Sequence, residues 1–257
     1  MASLRSAKEI FVEAYTLHGP IVRALEDAAR RAAHVVVQLD GAPFDDPKGS
    51  FAKENATLAA RLRGAGAEAI LGHPLHAKEI EVDGTLYLDE KNWDVNDIVL
   101  RDADGAEAAS IPKTKHEALA AEARLLEHAR ALDEVVVESE SFGGGNAAYS
   151  ALKKLALAGG APRLLVSQRD LRSNGRERHI LESLVRDGVR VRVCSDSQKL
   201  AVAGDRAWLG SANATATYGS ADMTDWGLCT GNPEIVNAVR TRLESEWEAA
   251  HTLGSGA

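Results

Sequence analysis

The stretch HAKEIEVDGTLYLDEKN, His76 to Asn92, has a counterpart in SQKLAVAGDRAWLGSAN, Ser197 to Asn213. In both, the third residue is a lysine and an asparagine follows it 14 residues later, so the two segments repeat at a constant offset of 121. The chain therefore contains two copies of one unit. Ile80, Val82, Leu86 and Leu88 alternate with other residues, which predicts strands that begin at the motif, and Asp83-Gly84 between them is a two-residue hairpin turn. Gly204-Asp205 plays the same part in the second copy. Lys78 and Lys199 thus fall near the start of a hairpin, and Asn92 and Asn213 at its end. The copies also differ. Ser197 replaces His76, Gly204 replaces Asp83, and Gly210-Ser211 stand where the first copy has Asp89-Glu90.

Outward from the hairpins, the same order of elements appears twice. The first half predicts a strand over 10–17, a helix over 21–33, a strand over 34–40, a helix over 52–64 and a short strand over 67–71, before strands at 76–82 and 85–88. The second half predicts a strand over 134–138, a helix over 146–157, a strand over 163–168, a helix over 176–187 and strands over 189–194, 199–203 and 206–209. A strand over 226–229 and a long amphipathic helix over 234–251 close the chain, before a frayed tail from Gly254. Between the halves, residues 115–132 predict an alanine- and glutamate-rich bridging helix. The helices rest on apolar residues recurring at three and four, as in Ile21, Val22, Leu25, Ala28, Ala29 and Ala32. Alternation of strand and helix predicts an α/β fold.

Composition narrows the function classes. The net charge of −8 argues against a protein that coats duplex nucleic acid, because phosphate neutralisation leaves a strongly basic face. Two cysteines, Cys194 and Cys229, are too few for a disulfide framework. No run approaches the roughly 18 to 20 apolar residues of a membrane span. The expectation is a cytoplasmic chain that makes no stable membrane insertion, as monomer or homodimer.

On the residues His76-Ala77-Lys78, Asn92, Lys199 and Gly210-Ser211-Ala212-Asn213, in two copies, the chain resembles the phospholipase D superfamily. That family carries histidine, any residue, lysine, four residues, aspartate, and then about six residues before Gly-Ser-x-Asn, commonly twice. The resemblance implies an α/β fold of two similar halves with mixed, mostly parallel sheets flanked by helices, packed about a pseudo-twofold in one chain. The halves would be residues 1–114 and 115–257. It also implies a metal-independent phosphodiesterase that works through a phosphohistidine and needs no cofactor. His76 would be the nucleophile, with Lys78, Lys199 and Asn213 in the catalytic set and Asn92, Ser211 and Ser197 against the substrate phosphate. Asp225 resembles the acidic residue that orients a histidine, and Asp97 is its first-half candidate.

Two departures stand against a complete site. The Ser197 hydroxyl cannot donate a proton near neutral pH as imidazolium does, and losing general acid catalysis costs about 10²- to 10⁴-fold. Glu90 stands where a small donor belongs, and a carboxylate about 4 Å from a phosphate oxygen is repelled by roughly 4 kcal/mol at an effective dielectric near 20. Glu90 either turns away, or is protonated and supplies the acid, or marks a site that no longer takes a diester. The expected substrate is a nucleic acid or a small phosphodiester, with hydrolysis and phosphotransfer both open. The alternative is a pseudoenzyme that binds phosphate or nucleic acid, or serves as a scaffold. Phe142-Gly143-Gly144-Gly145-Asn146 reads as a flexible rim loop rather than an anion cradle, and Arg169, Arg172, Arg176 and Arg178 as a solvated basic cluster. Trp93, Trp208 and Trp226 are candidate core anchors near the motifs.

Overall fold

The computed structural model describes residues 2–43, 46, 48–72, 74–93, 99–102, 114–171, 174–196, 198–215 and 223–254. The chain forms two compact units, one made of Met1–Thr114 with Asp222–Trp226 and the other of Lys115–Ala221 with Gly227–Ala257. Five residues of the later chain thus belong with the first unit.

The first unit opens with a short helix α1 (Ala2–Ser6) and continues through β1 (Glu9–Ala14), α2 (Gly19–Arg30), β2 (His34–Asp40), α3 (Ser50–Gly64) and β3 (Glu68–Gly72). The motif hairpin follows as β4 (Lys78–Val82) and β5 (Thr85–Asp89), with β6 (Val99–Asp102) beside it. Pro20 sits in the first turn of α2, where its missing N–H costs nothing. Asp83 and Gly84 both take positive φ, 49° and 80°, the backbone that a two-residue hairpin turn demands. The Asp83 carboxylate also accepts the backbone N–H groups of Lys8 and Glu9, each at 2.9 Å, which ties the hairpin tip to the start of β1. The sheet order is β3-β2-β1-β4-β5-β6. Helices α2 and α3 bury Leu25, Ala28, Leu58 and Leu62 against Ile10, Val12, Val35 and Val37.

The second unit starts with α4 (Lys115–Glu127), which packs on the next long helix and the later strands of its own unit. It continues through β7 (Val135–Ser139), α5 (Ala147–Leu157), β8 (Arg163–Ser167), the short α6 (Gln168–Leu171), α7 (Gly175–Arg186) and β9 (Arg190–Cys194). The second hairpin is β10 (Leu200–Ala203) and β11 (Arg206–Gly210), followed by β12 (Gly227–Thr230), α8 (Pro233–Ala249) and β13 (His251–Thr252). The order β12-β11-β10-β7-β8-β9-β13 repeats that of the first sheet over six strands and adds β13 at the edge. Trp208, almost fully buried, donates from Nε1 to the Ala118 carbonyl at 3.1 Å and fixes α4 to β11.

Both sheets are mixed, and the expectation that they are mostly parallel needs correction. In each, only the three strands joined by helices run parallel, while the hairpin pairs and the outer strands add antiparallel neighbours. A tight turn can only join antiparallel strands, so the motif hairpin itself shifts the balance. The helix predicted to 132 ends at Glu127, and the one predicted to 251 ends at Ala249, with His251 pairing in a strand instead. Residues 255–257 lie outside the described residues.

Candidate active site

Each half presents its motif where the first strand ends beside the start of the hairpin. Ala14 pairs with Lys78, and the pairing of Glu138 with Leu200 continues to place Ser139 opposite Lys199. The residues just past those strand ends, Tyr15 and Glu140, are therefore equivalent.

In the first unit, His76 lies in the run between β3 and β4 and is held from both sides. The buried Asp40 carboxylate accepts the Leu75 N–H at 3.1 Å, Leu75 bridges Thr224, and the His76 N–H donates to the Thr224 carbonyl at 3.0 Å. The imidazole Nδ1 meets Asp225 Oδ1 at 2.8 Å, with the histidine side chain 16% exposed and the aspartate 1%. An ionised carboxylate can only accept, so Nδ1 is the protonated nitrogen and the lone pair resides on Nε2. The Tyr15 ring stands edge-on to the imidazole, centroids 5.4 Å apart. Lys78, almost fully buried, places Nζ 5.7 Å from the Tyr15 ring centre and donates to the His76 carbonyl at 2.5 Å. Trp226, fully buried, donates from Nε1 to the Asp89 carbonyl at 3.0 Å, which secures the 223–226 segment against the end of β5.

Glu90, the anomaly of the first motif, is fully enclosed, as is its neighbour Asp89, which accepts the Trp93 N–H at 2.6 Å. Asn92 is half-buried and its amide oxygen meets no donor. Because an amide's two ends are assigned from their partners, turning it about its last bond presents an N–H₂ donor instead. Asp97 lies outside the described residues.

In the second unit, Ser197 lies outside the described residues. Lys199 is 3% exposed and forms an ion pair with Glu140 Oε2 at 3.2 Å. Ser211 is fully buried, and Asn213 repeats Asn92, half-buried with an unpartnered amide oxygen. The residues beside Ser197 are anchored below. Gln198 donates its N–H to Glu138 Oε1 at 3.3 Å and its side-chain amide to Asp196 at 3.1 Å, and Asp196 pairs with Arg242 at 2.9 Å. Burial, with the charges of Asp196 and Glu246 nearby, pushes the Glu138 pKa up to about 8. Burial likewise pushes up the Cys194 thiol, which donates to Glu138 at 3.7 Å. The glycine loop before α5 is pinned rather than flexible. Asn146 caps α5 by accepting the Tyr149 N–H and donates to the carbonyls of Gly143 and Ala214, while Phe142 N–H binds Glu177. Of the basic cluster, Arg169, Arg176 and Arg178 are exposed and Arg172 lies outside the described residues.

The sequence did not single out Tyr15, Asp40, Glu138 or Glu140. One signal for the pair Tyr15 and Glu140 exists: each is the first residue past the strand that meets the motif lysine. Among the described residues, no group of three His, Cys, Asp or Glu side chains could hold a metal ion, and no helix is long and apolar enough to cross a membrane.

No family model and no curated protein matches the chain by sequence. Solved structures do. The chain is similar to phosphatidylserine synthase from Haemophilus influenzae Rd KW20, with a TM-score of 0.67 and 11% identity over 98% of this chain and 84% of that one. It is similar to polyphosphate kinase from Porphyromonas gingivalis, with a TM-score of 0.60 and 16% identity over 96% of this chain and 47% of that one. The chain thus spans under half the length of the kinase. A likeness over 51% of the chain, at a TM-score of 0.45 and 12% identity, extends to Nuc from Salmonella typhimurium, described as a phospholipase D family member. With one six-strand order in both halves and a lysine at the same strand junction in each, the chain has a phospholipase D-like α/β fold of two similar halves.

Proposed function

We propose that the chain is a metal-independent phosphodiesterase in which His76 is the nucleophile and the second half only assists binding. The observation that carries this reading is the 2.8 Å contact between His76 Nδ1 and the buried Asp225. With its proton held on Nδ1, the imidazole offers Nε2 to phosphorus. The Nε2–P bond forms as the ester P–O bond breaks, and the leaving oxygen departs with the bonding pair. Water then attacks the phosphohistidine, the N–P bond breaks, and the imidazole is restored. Lys78 supplies positive charge beside the nucleophile, and Asn92 supplies a hydrogen-bonding amide. An imidazole nucleophile splits one difficult displacement into two easier ones.

The substrate is a nucleic acid or a small phosphodiester, and a small diester with a good leaving group best fits a site that has serine where the acid histidine belongs. Phosphotransfer to an alcohol uses the same intermediate with another acceptor. The test is turnover of bis-p-nitrophenyl phosphate in EDTA, together with alkaline-quench trapping of a base-stable, acid-labile phosphoprotein. The expected result is slow turnover and a trapped adduct, both lost in His76→Ala. Turnover unchanged in His76→Ala would overturn the reading.

A second reading has its own observation. The Glu140 carboxylate already occupies Lys199 at 3.2 Å, as an internal stand-in for a phosphate oxygen. On that basis the chain would be a pseudoenzyme that binds a phosphate group without turning it over. Binding of the diester with no turnover in any variant would select it.

A further inference from the structure

The two sheets share a strand order but are not covered alike. In the second unit, one row across the sheet runs Arg190, Arg163, Val136, Val202, Ala207, and α8 lies over it. Val236, Val239, Leu243 and Trp247 of α8 are buried, Trp247 stacks beneath the guanidinium groups of Arg163, Arg190 and Arg192, and Glu244 pairs with Arg163 at 3.0 Å. An arginine-bearing sheet thus meets a helix that brings carboxylates. The equivalent row of the first unit runs Glu68, Val36, Phe11, Glu81, Leu86. Among the described residues, no helix lies on it. Phe11 is 37% exposed, Ile70 in the adjoining row is 41% exposed, and Glu68 and Glu81 are exposed. Parallel strands are ordinarily covered on both faces, and β1, β2 and β3 are covered on one.

We infer that this open face of the first sheet is a docking surface for a basic amphipathic helix of a partner protein. The internal template sets the form of the occupant: α8 covers the matching row with apolar residues spaced three, four and four apart. The charges set its sign. Glu68 stands at the position of Arg190 and Glu81 at that of Val202, so the carboxylates of α8 are replaced in the occupant by lysine or arginine flanking the same apolar stripe. A helix of α8's own composition is repelled here.

The test uses the full chain and two fluorescently labelled peptides followed by anisotropy. One has the α8 sequence, 17 residues, and the other carries Glu234→Lys, Glu244→Lys, Glu246→Lys and Glu248→Lys. The basic peptide is expected to bind at least tenfold more tightly than the acidic one. Phe11→Glu weakens it at least tenfold, and the double variant Glu68→Arg with Glu81→Arg reverses the preference between the peptides. Circular dichroism verifies that the variants are folded, as expected for substitutions at exposed positions. Equal binding of the two peptides, no binding of either, or binding of the basic peptide unchanged by the charge reversal overturns the proposal. So does a concentration-dependent dimer that Phe11→Glu abolishes without peptide binding, which assigns the face to a second copy of the chain.

Discussion

Lys78 and Lys199 occupy the same place in two copies of one fold, yet the residue past the end of the neighbouring strand differs between them. Past the end of β1, Tyr15 offers Lys78 a ring face; past the end of β7, Glu140 offers Lys199 a carboxylate. A carboxylate at this position offsets part of the charge of Lys199, whereas the aromatic ring at the matching position of the first half brings no charge of its own. The same contrast extends to the histidine position, where one half has His76 backed by Asp225 and the other has serine. Repetition therefore preserved the frame of the site, and single side chains at the strand ends decide what each copy can do.

The largest effect that sharpens this comparison is expected from the lysines themselves. Lys78→Met lowers turnover of bis-p-nitrophenyl phosphate by about 10³-fold, roughly 4 kcal/mol of transition-state stabilisation, whereas Lys199→Met lowers it by less than about tenfold; steady-state kinetics on both variants decides, and equal losses would break the asymmetry. Next, Asp225→Asn removes the partner of His76 Nδ1 while keeping its shape. About a 10²-fold fall in kcat with KM little changed is expected, since the aspartate positions the nucleophile and does not touch substrate.

A gain is expected where the second half is repaired. Glu140→Gln with Ser197→His removes the carboxylate beside Lys199 and introduces an acid group, and turnover is expected to rise on the order of tenfold or more, most of all for diesters with poor leaving groups. Should Glu140→Gln alone leave KM unmoved, the carboxylate is not what silences that half.

The smallest effect concerns stability. Burial raises the Glu138 pKa from 4.5 to about 8, so between these values the folded chain holds a proton that the unfolded chain has released. Stability falls as pH rises through that window and levels off above about pH 8. Glu138→Gln is expected to flatten this decline and to raise the Tm at pH 8 by a few degrees, with Glu13→Gln at the matching, half-buried position of the first unit as the comparison. Thermal melts from pH 5 to 8.5 read it directly.

Much of the frame was legible from the chain alone. The offset of 121 located both hairpins, and Asp83-Gly84 encoded its turn because both residues accept positive φ. The strand over 34–40 and the helices predicted from 21 and 234 followed from periodicity. Less visible were β6 and β13, short strands that exist because a sheet edge accepts them rather than because their own sequence insists. The pinned glycine loop was misjudged for a related reason: composition reveals that Gly143, Gly144 and Gly145 can flex, but not that Asn146 binds Gly143 and Ala214.

What the sequence by itself determined is the local part: two copies of a strand-helix unit, a turn in each, and a lysine and an asparagine at fixed distance. Period, turn chemistry and spacing act over a few residues and leave a trace in the order of the chain. The tertiary structure decided the pairings. Asp225 reaches His76 across 149 residues, Glu140 reaches Lys199 across 59, and α8 covers one sheet while no helix among the described residues covers the matching face of the other. Such contacts are set by where strands end and which faces meet in space, and no local rule of propensity encodes that.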